Sequence, residues 1–207
     1  MNTVDSSPDR YFDQAITARL RAAGCVFAED PVLSFLIPPG VRHRSRRLRS
    51  FFALELPRSL RCGGAWTDAD GRAAAVWYPP QRWREPTWTT LGHGPAQLRV
   101  FGRRLGLASR VLLTMQRHHP SEPHWYLLYL GAASGAQGTG RGSALLRAAL
   151  AQSDAQAVPA YLEATSERNR ALYLRHGFRD LDLLPLPKGG PPLYPMWRDA
   201  LPLPTGT

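Results

Sequence analysis

The segment from Ser134 to Ser143 has the residue types of a turn that binds a negatively charged group. Gly138, Gly140 and Gly142 alternate with other residues in it, after a predicted strand and before a predicted helix. A glycine lets the backbone approach a phosphate because no Cβ intrudes, and the unpaired N–H groups at a helix start attract an anion. We therefore predict a phosphate-binding turn here; the alternative is a purely structural turn.

Two common nucleotide-binding motifs do not match this turn. The pattern GxxxxGK[ST] fails because Arg141 stands at the position of the lysine. The pattern GxGxxG fails because Ser143 stands where the third glycine is required. A nucleotide triphosphatase and a dinucleotide-binding protein are both disfavoured. What remains is Gln-x-x-Gly-x-Gly, formed by Gln137, Gly140 and Gly142.

A second segment, residues 161–178, follows about twenty residues later. Its sequence predicts a short strand and then a capped helix that ends at Gly177. Asn169 and Tyr173 are four residues apart on that helix and therefore share one of its faces. Glu163 lies on the strand before it. The alternatives are that Asn169 is a capping residue and that Tyr173 is a packed aromatic.

Together the two segments resemble the GNAT superfamily of N-acetyltransferases over about a quarter of the chain, from Glu122 to Phe178. The Gln-x-x-Gly-x-Gly turn matches the family's pyrophosphate-binding motif. The later segment matches its second motif, N-x-x-A-x-x-L-Y-x-x-x-G-F, except that Arg170-Ala171-Leu172 is one position tighter than the motif requires. The resemblance implies an α/β (α+β) fold with a mixed, mostly antiparallel central sheet of about six to seven strands, flanked by helices and splayed at the cofactor notch. The residues that match the second motif are Asn169, Tyr173, Gly177 and Phe178.

The resemblance also implies that acetyl-CoA binds as cosubstrate where the strand ending at Leu130 separates from the strand containing Glu163. The backbone of the first strand would pair with the pantetheine amides, and the glycine turn would bind the pyrophosphate, with Arg141 supplying positive charge. The implied cofactor-binding residues are Leu130, Gly131, Ala132, Gln137, Gly138, Thr139, Gly140, Arg141, Gly142, Ser143, Asn169 and Tyr173.

Acetyl transfer to an amine requires a base for the ammonium proton and an acid for the leaving thiolate. Given the resemblance, Tyr173 is the expected acid, because an ordinary tyrosine is protonated at neutral pH. Glu163 is the first candidate for the base, followed by Glu122 and His124. The alternative is that His118, His119 and His124 are surface or packed histidines.

The acceptor is predicted to be the primary amine of a small molecule, attacking directly in a ternary complex. Trp77, Tyr78, Trp83 and Trp88 suggest an apolar or aromatic amine, unless they only pack the core and a loop. A chain with a formal charge of +10 is poorly suited to a polycationic acceptor. Two alternatives stay open: an acetyltransferase for protein N-termini or lysines, and a basic nucleic-acid-binding protein with an inactive GNAT shell.

Composition limits the other possibilities. The 207 residues include 26 Lys or Arg and 16 Asp or Glu, with 43% apolar residues, which suits a folded domain rather than a disordered chain. The basic run from Arg42 to Arg49 is predicted to be a solvated helix face, so nucleic acid is not the favoured partner. With no metal-ligand spacing, no apolar span and only Cys25 and Cys62, we expect no metal, no membrane partner and a cytoplasmic location.

The predicted organisation is a single domain over residues 1–200 with a flexible tail at 201–207, and the apolar C-terminal strands could pair in a homodimer. No convincing strand precedes the first helix. The long helix at 95–117 is expected to bury Leu98, Leu105, Leu112 and Met115. The predicted helices are 9–28, 42–61, 95–117, 142–153 and 167–176, and the predicted strands are 65–67, 72–78, 124–132, 160–164, 178–184 and 193–197.

Overall fold

The computed structural model of the chain describes residues 29–61, 64–83, 94–133 and 135–202. The helix predicted at 9–28, the question of a strand before it, Trp88 and both cysteines lie outside these residues. The helices are α1 (Pro31–Leu36), α2 (Arg44–Arg61), α3 (Gly94–Phe101), α4 (Leu105–His118), α5 (Arg141–Ala155) and α6 (Glu167–Leu174). The strands are β1 (Ala65–Thr67), β2 (Ala73–Tyr78), β3 (Trp125–Ala132), β4 (Ala160–Ala164), β5 (Arg179–Asp180) and β6 (Tyr194–Arg198).

The strands form an open six-stranded sheet in the order β1-β2-β3-β4-β6-β5. Every neighbouring pair is antiparallel except β3 and β4, which run parallel and are connected through α5. A parallel pair needs such a crossover, because its second strand must start at the same end of the sheet as the first. The mostly antiparallel, helix-flanked α/β sheet expected from the sequence is therefore confirmed.

The parallel pair separates partway along its length. β3 and β4 are in register only from Trp125 to Leu127, opposite Ala160 to Leu162. Beyond that point β3 stays paired with β2, and β4 stays paired with β6. The pairing of β2 with β3 shifts register at the same point along β3, because Leu128 has no partner residue in β2. We call the gap between residues 128–132 and residues 163–164 the notch.

The two faces of the sheet bury different sets of side chains. Along β2, Ala73, Ala75 and Trp77 point toward the cluster that includes α5, while Ala74 and Val76 point toward the cluster that includes α1, α2 and α4. Because successive strand residues face opposite sides, a strand buried on both faces is apolar throughout. All six residues of β2 are buried.

The helix predicted at 95–117 is interrupted by a 3-10 turn at Gly102–Arg104. Gly102 has φ +55°, a conformation that side chains rarely adopt, and the turn changes which face of the following helix meets the core. Val100 and Val111 are therefore buried, whereas Leu98 and Leu112 are 56% and 46% exposed. The expectation was wrong for Leu98 and Leu112, whereas Leu105 and Met115 are partly buried and Met115 packs against the core.

Two arginines of the basic run have structural roles. Arg44 Nε donates to the Ile37 carbonyl at 2.8 Å, and an Arg47 NH group donates to the Val100 carbonyl at 3.1 Å. Arg42, Arg46 and Arg49 are exposed, as predicted for a solvated face. Part of the positive charge therefore ties α2 to neighbouring segments.

The strand predicted at 178–184 is shorter than expected. Only Arg179–Asp180 pairs as β5, and Leu184 forms an isolated bridge with Leu193. Pro185 and Pro187 follow, and a proline has no N–H with which to continue a ladder. Within the described residues, no helix is long and apolar enough to span a membrane.

Candidate functional site

The glycine turn has the geometry expected for an anion-binding segment. Gly138 and Gly140 have φ of +76° and +81°, and both are exposed. Gly140 is the N-cap of α5, and its carbonyl accepts the first helical hydrogen bond, from the Ala144 N–H at 2.9 Å. The N–H groups of residues 141–143 therefore have no hydrogen-bond acceptor within α5. The first turn of α5 contains no acidic residue.

Arg141 connects this turn to the β1–β2 hairpin. One of its NH groups contacts the carboxylates of Asp68 and Asp70, the second at 2.8 Å. These contacts raise the pKa of Arg141, chiefly through the hydrogen bond to Asp68. Burial opposes ionisation of Asp68, but hydrogen bonds from the Ala73 N–H and Arg141 outweigh it and lower the pKa of Asp68. Arg141 therefore fixes the position of the turn relative to the hairpin.

The predicted backbone residues of β3 lie along the notch. Leu130 and Gly131 pair with Ala75 and Ala74 of β2 on one side, and β4 is not in register with them on the other. Residues 130–132 are half-buried. The side of β3 away from β2 is therefore a strand edge, which can accept an extended ligand through main-chain hydrogen bonds.

The helix α6 begins beside the notch. Ser166 is its N-cap, and the Ser166 hydroxyl accepts from the Asn169 N–H at 3.3 Å. Asn169 is therefore not the capping residue. Its side-chain amide donates to the Thr165 hydroxyl at 3.5 Å, and that hydroxyl donates to Asp30 Oδ2 at 2.6 Å. This chain of contacts links α6 to the start of α1.

Tyr173 lies one turn further along α6. Its side chain is buried and packs edge-on against Phe178, with 5.9 Å between ring centroids. Burial and then the charge of Asp30 raise the pKa of Tyr173, so its hydroxyl keeps its proton at neutral pH. Tyr173 is therefore a packed aromatic whose hydroxyl is protonated.

Glu163 lies where β4 leaves β3, and only 3% of its side chain is exposed. Its two carboxylate oxygens accept from the hydroxyls of Tyr126 at 2.7 Å and Tyr161 at 3.0 Å. Burial and the charge of Glu163 raise the pKa of both tyrosines, so both remain protonated donors. The result is a buried acid held on two sides by hydroxyl groups.

Two histidines continue this group of contacts. His119 Nδ1 lies 3.8 Å from Glu163 Oε1, and His119 Nε2 lies 2.9 Å from His124 Nε2. His124 Nδ1 lies 2.6 Å from the Glu122 carbonyl oxygen, whereas the Glu122 side chain is exposed. His118 is also exposed, with Nδ1 at 2.8 Å from the carbonyl of Thr114. His119 therefore has a contact with Glu163 that the sequence analysis did not identify.

Aromatic side chains surround this group. Tyr78, Tyr126, Tyr161 and Trp197 stand opposite one another on four neighbouring strands. Trp83 stacks on His119 with 3.5 Å between ring centroids. Trp77, expected with this set, points to the opposite face of the sheet. Among the described residues, no group of three or more His, Cys, Asp or Glu could hold a metal ion.

The comparisons with known proteins agree with this geometry. Residues 66–178 match the acetyltransferase (GNAT) family. A solved structure from Corynebacterium glutamicum, described as histone acetyltransferase HPA2 and related acetyltransferase, is 30% identical, with a TM-score of 0.69 over 94% of this chain and 96% of that one.

Two further solved structures share the fold at lower identity. Arylalkylamine N-acetyltransferase 2 from Aedes aegypti is 12% identical, with a TM-score of 0.61 over 90% of this chain and 94% of that chain. Polyamine N-acetyltransferase from Drosophila melanogaster, which forms N-acetylagmatine, is 16% identical, with a TM-score of 0.54 over 90% of this chain and 93% of that chain.

Proposed function

Because this chain belongs to the GNAT family of acetyltransferases, we propose that it transfers the acetyl group of acetyl-CoA to the primary amine of a small molecule. The observation that supports this most directly is the notch between β3 and β4, with the glycine turn following β3 and the buried carboxylate of Glu163 on β4. The cosubstrate and the acceptor amine would meet there.

The residues around the notch fit acetyl-CoA. The exposed glycines at 138 and 140, the free N–H groups at the start of α5 and the lack of acid in its first turn suit a pyrophosphate. The edge of β3 suits the pantetheine amides. The residues proposed to hold it are Leu130, Gly131, Ala132, Gln137, Gly138, Thr139, Gly140, Arg141, Gly142, Ser143, Asn169 and Tyr173.

When bound, acetyl-CoA supplies an activated acyl group as a thioester. Glu163 would accept a proton from the ammonium group, because an amine attacks only through a free lone pair. Tyr126 and Tyr161 would hold the carboxylate in position through their hydroxyls. Tyr173 would donate its proton to the leaving sulfur. Glu163 and Tyr173 are therefore the two proposed catalytic side chains.

The acceptor proposed is an amine with an apolar or aromatic body. Trp83 is only partly buried and stacks on His119, on the same side of the sheet as Glu163, and the buried Tyr78 belongs to the same aromatic cluster. A second candidate is a protein amine, at an N-terminus or a lysine, because the Corynebacterium glutamicum relative is described as a histone acetyltransferase.

The test is an assay for acetylated product and for thiol release, with acetyl-CoA and three kinds of acceptor: aromatic monoamines, polyamines and lysine peptides. We expect the aromatic monoamines to be acetylated fastest. Faster reaction of a lysine peptide would replace the small-molecule acceptor with a protein, and faster reaction of a polyamine would contradict the charge argument. If purified protein acetylates none of these acceptors above the uncatalysed rate, the proposed activity is wrong.

A further inference from the structure

We propose that His119 receives the proton that Glu163 removes from the amine, and that His124 fixes the His119 ring so that an unprotonated nitrogen faces Glu163. This inference rests on the proposed function for its catalytic half, whereas its structural half concerns the free protein. His119 acts through Glu163, and His124 acts through His119 as a positioning residue; neither histidine is proposed to touch the substrate.

The argument starts at His124, whose Nδ1 lies 2.6 Å from the Glu122 carbonyl oxygen. A carbonyl oxygen only accepts hydrogen bonds, so His124 Nδ1 must hold a proton. Burial, as the main cause, lowers the pKa of His124 to about 4. The ring is therefore neutral at pH 7, and its other nitrogen, Nε2, has a free lone pair.

The protonation of His119 follows from that of His124. His119 Nε2 lies 2.9 Å from His124 Nε2, and two ring nitrogens form a hydrogen bond only if one holds a proton. Because His124 Nε2 has none, His119 Nε2 is the donor. A neutral His119 then has its free lone pair on Nδ1, the nitrogen that lies 3.8 Å from Glu163 Oε1. This distance is too long for a hydrogen bond, and a lone pair cannot bond to a carboxylate. The contact therefore forms only when Glu163 carries the proton, through a small side-chain rotation or a bridging water.

The groups around His119 keep the ring in this orientation. Trp83 stacks on it at 3.5 Å, and the rings of Tyr126 and Tyr161 meet it at 4.7 Å each. The titratable groups that face it are Glu163 and Tyr161 from β4, Tyr126 from β3 and His124 from the segment before β3. The two tyrosines hold their own protons, because burial and Glu163 raise the pKa of each. They cannot take the amine's proton, whereas His119 Nδ1 can.

The proton balance of the reaction is then complete. The ammonium group gives one proton to the Glu163 carboxylate, which passes it to His119 Nδ1 and becomes a carboxylate again beside an imidazolium. The C–N bond forms and the C–S bond breaks, and the thiolate takes the Tyr173 proton. The second proton of the attacking nitrogen restores Tyr173. One proton is released to solvent from His119 in each turnover.

The structural half is tested by ¹⁵N NMR of the histidine rings in the free protein near pH 7.5. We expect protonated Nδ1 in His124 and protonated Nε2 in His119. In His124→Phe, we expect the His119 ring to show a mixture of the two neutral forms, because its acceptor is lost. His118→Gln is the matched control, since His118 is exposed and bonded to its own helix. A wild-type spectrum with the proton of neutral His119 on Nδ1 would overturn the assignment without any substitution.

The catalytic half is tested by the pH dependence of kcat/KM in His119→Gln. We expect kcat to fall about tenfold at neutral pH, within the range that proton transfer contributes. We also expect the fall of kcat/KM at acidic pH to move to lower pH, because a carboxylic acid is a stronger acid than an imidazolium. A merely structural role would lower the rate equally at all pH values. An unmoved decline overturns the relay, and His119→Asn repeats the test if the first variant does not fold.

Failure of the proposed function gives a different result from failure of this inference. If the wild-type protein acetylates no amine, the relay falls with the proposed function, and the NMR spectrum alone decides the structural half. If the wild-type protein is active but His119 has the opposite ring form, the relay is wrong while the acetyl transfer stands.

Discussion

The role proposed for Glu163 predicts different consequences for Glu163→Gln and Glu163→Ala. The buried hydroxyls of Tyr126 and Tyr161 both donate to its carboxylate, at 2.7 Å and 3.0 Å. Glutamine keeps an oxygen for one tyrosine and presents an amide to the other, so we expect little loss of stability. Alanine leaves two buried hydroxyls without an acceptor, at about 1–3 kcal/mol each, so the free energy of unfolding should fall by roughly 2–6 kcal/mol.

Activity is expected to separate from stability in these two variants. Neither glutamine nor alanine can take the ammonium proton, so both should lower kcat by at least about 100-fold. The rate is measured by single-turnover acetyl transfer, and stability by urea unfolding.

The matched control for both measurements is Glu122→Gln, because that side chain is exposed and should affect neither. A Glu163→Gln variant with wild-type kcat would refute the role of the base. A Glu163→Ala variant with wild-type stability would refute the hydrogen-bond reasoning.

Three further predictions concern the acid, the core and the turn. Tyr173→Phe should lower kcat by about 100-fold without changing acetyl-CoA affinity measured by calorimetry; an unaltered single-turnover rate would contradict this. Asp154→Asn should lower stability by about 3 kcal/mol, because it breaks the paired contact with buried Arg198 at 2.7 and 2.8 Å. The hydrogen bond to Arg198 lowers the folded-state pKa of Asp154. The stability from this pair is therefore present above the unfolded-state pKa near 4 and is lost as pH falls through the lower folded-state value. Urea unfolding at several pH values measures this loss, which the variant should not show. Gly140→Ala should lower the unfolding free energy by about 1 kcal/mol because φ is +81°, whereas Gly106→Ala, inside α4 with open space around it, should raise it in the same unfolding assay; equal effects would contradict the argument.

Much of the fold follows from local sequence signals. The hairpin around Asp68 to Gly71, the glycine at the start of α5 and the apolar run of β3 each combine a strong turn or periodicity with the right neighbours. The break at Gly102 was not predicted, because a glycine inside an amphipathic pattern does not by itself show where a helix changes phase.

The site was predictable only in part. Motif spacing predicted the turn and α6, because those residues are close together in sequence. Two elements, β3 and α5, lie between His119 and Glu163 in sequence, and their contact depends on how β3 and β4 pair. Trp77 and Tyr78 are consecutive in β2, so alternation places them on opposite faces, but only the pairing of the strands shows that Tyr78 is the one on the Glu163 side. The order and spacing of the segments at 27–31, 71–79 and 120–127 are similar to those of puromycin N-acetyltransferase, and this likeness stays a prediction.

The most direct test of the central claim is thermal denaturation with and without acetyl-CoA, because it requires no knowledge of the acceptor. At about 100 times Kd, one site should add ~2.7 kcal/mol to the unfolding free energy, which raises Tm by roughly 5–10 °C for a domain of this size. Acetyl-pantetheine at the same concentration should give a smaller rise, because it lacks the pyrophosphate proposed to bind the glycine turn. No rise up to millimolar acetyl-CoA would contradict the assignment of the notch as its binding site.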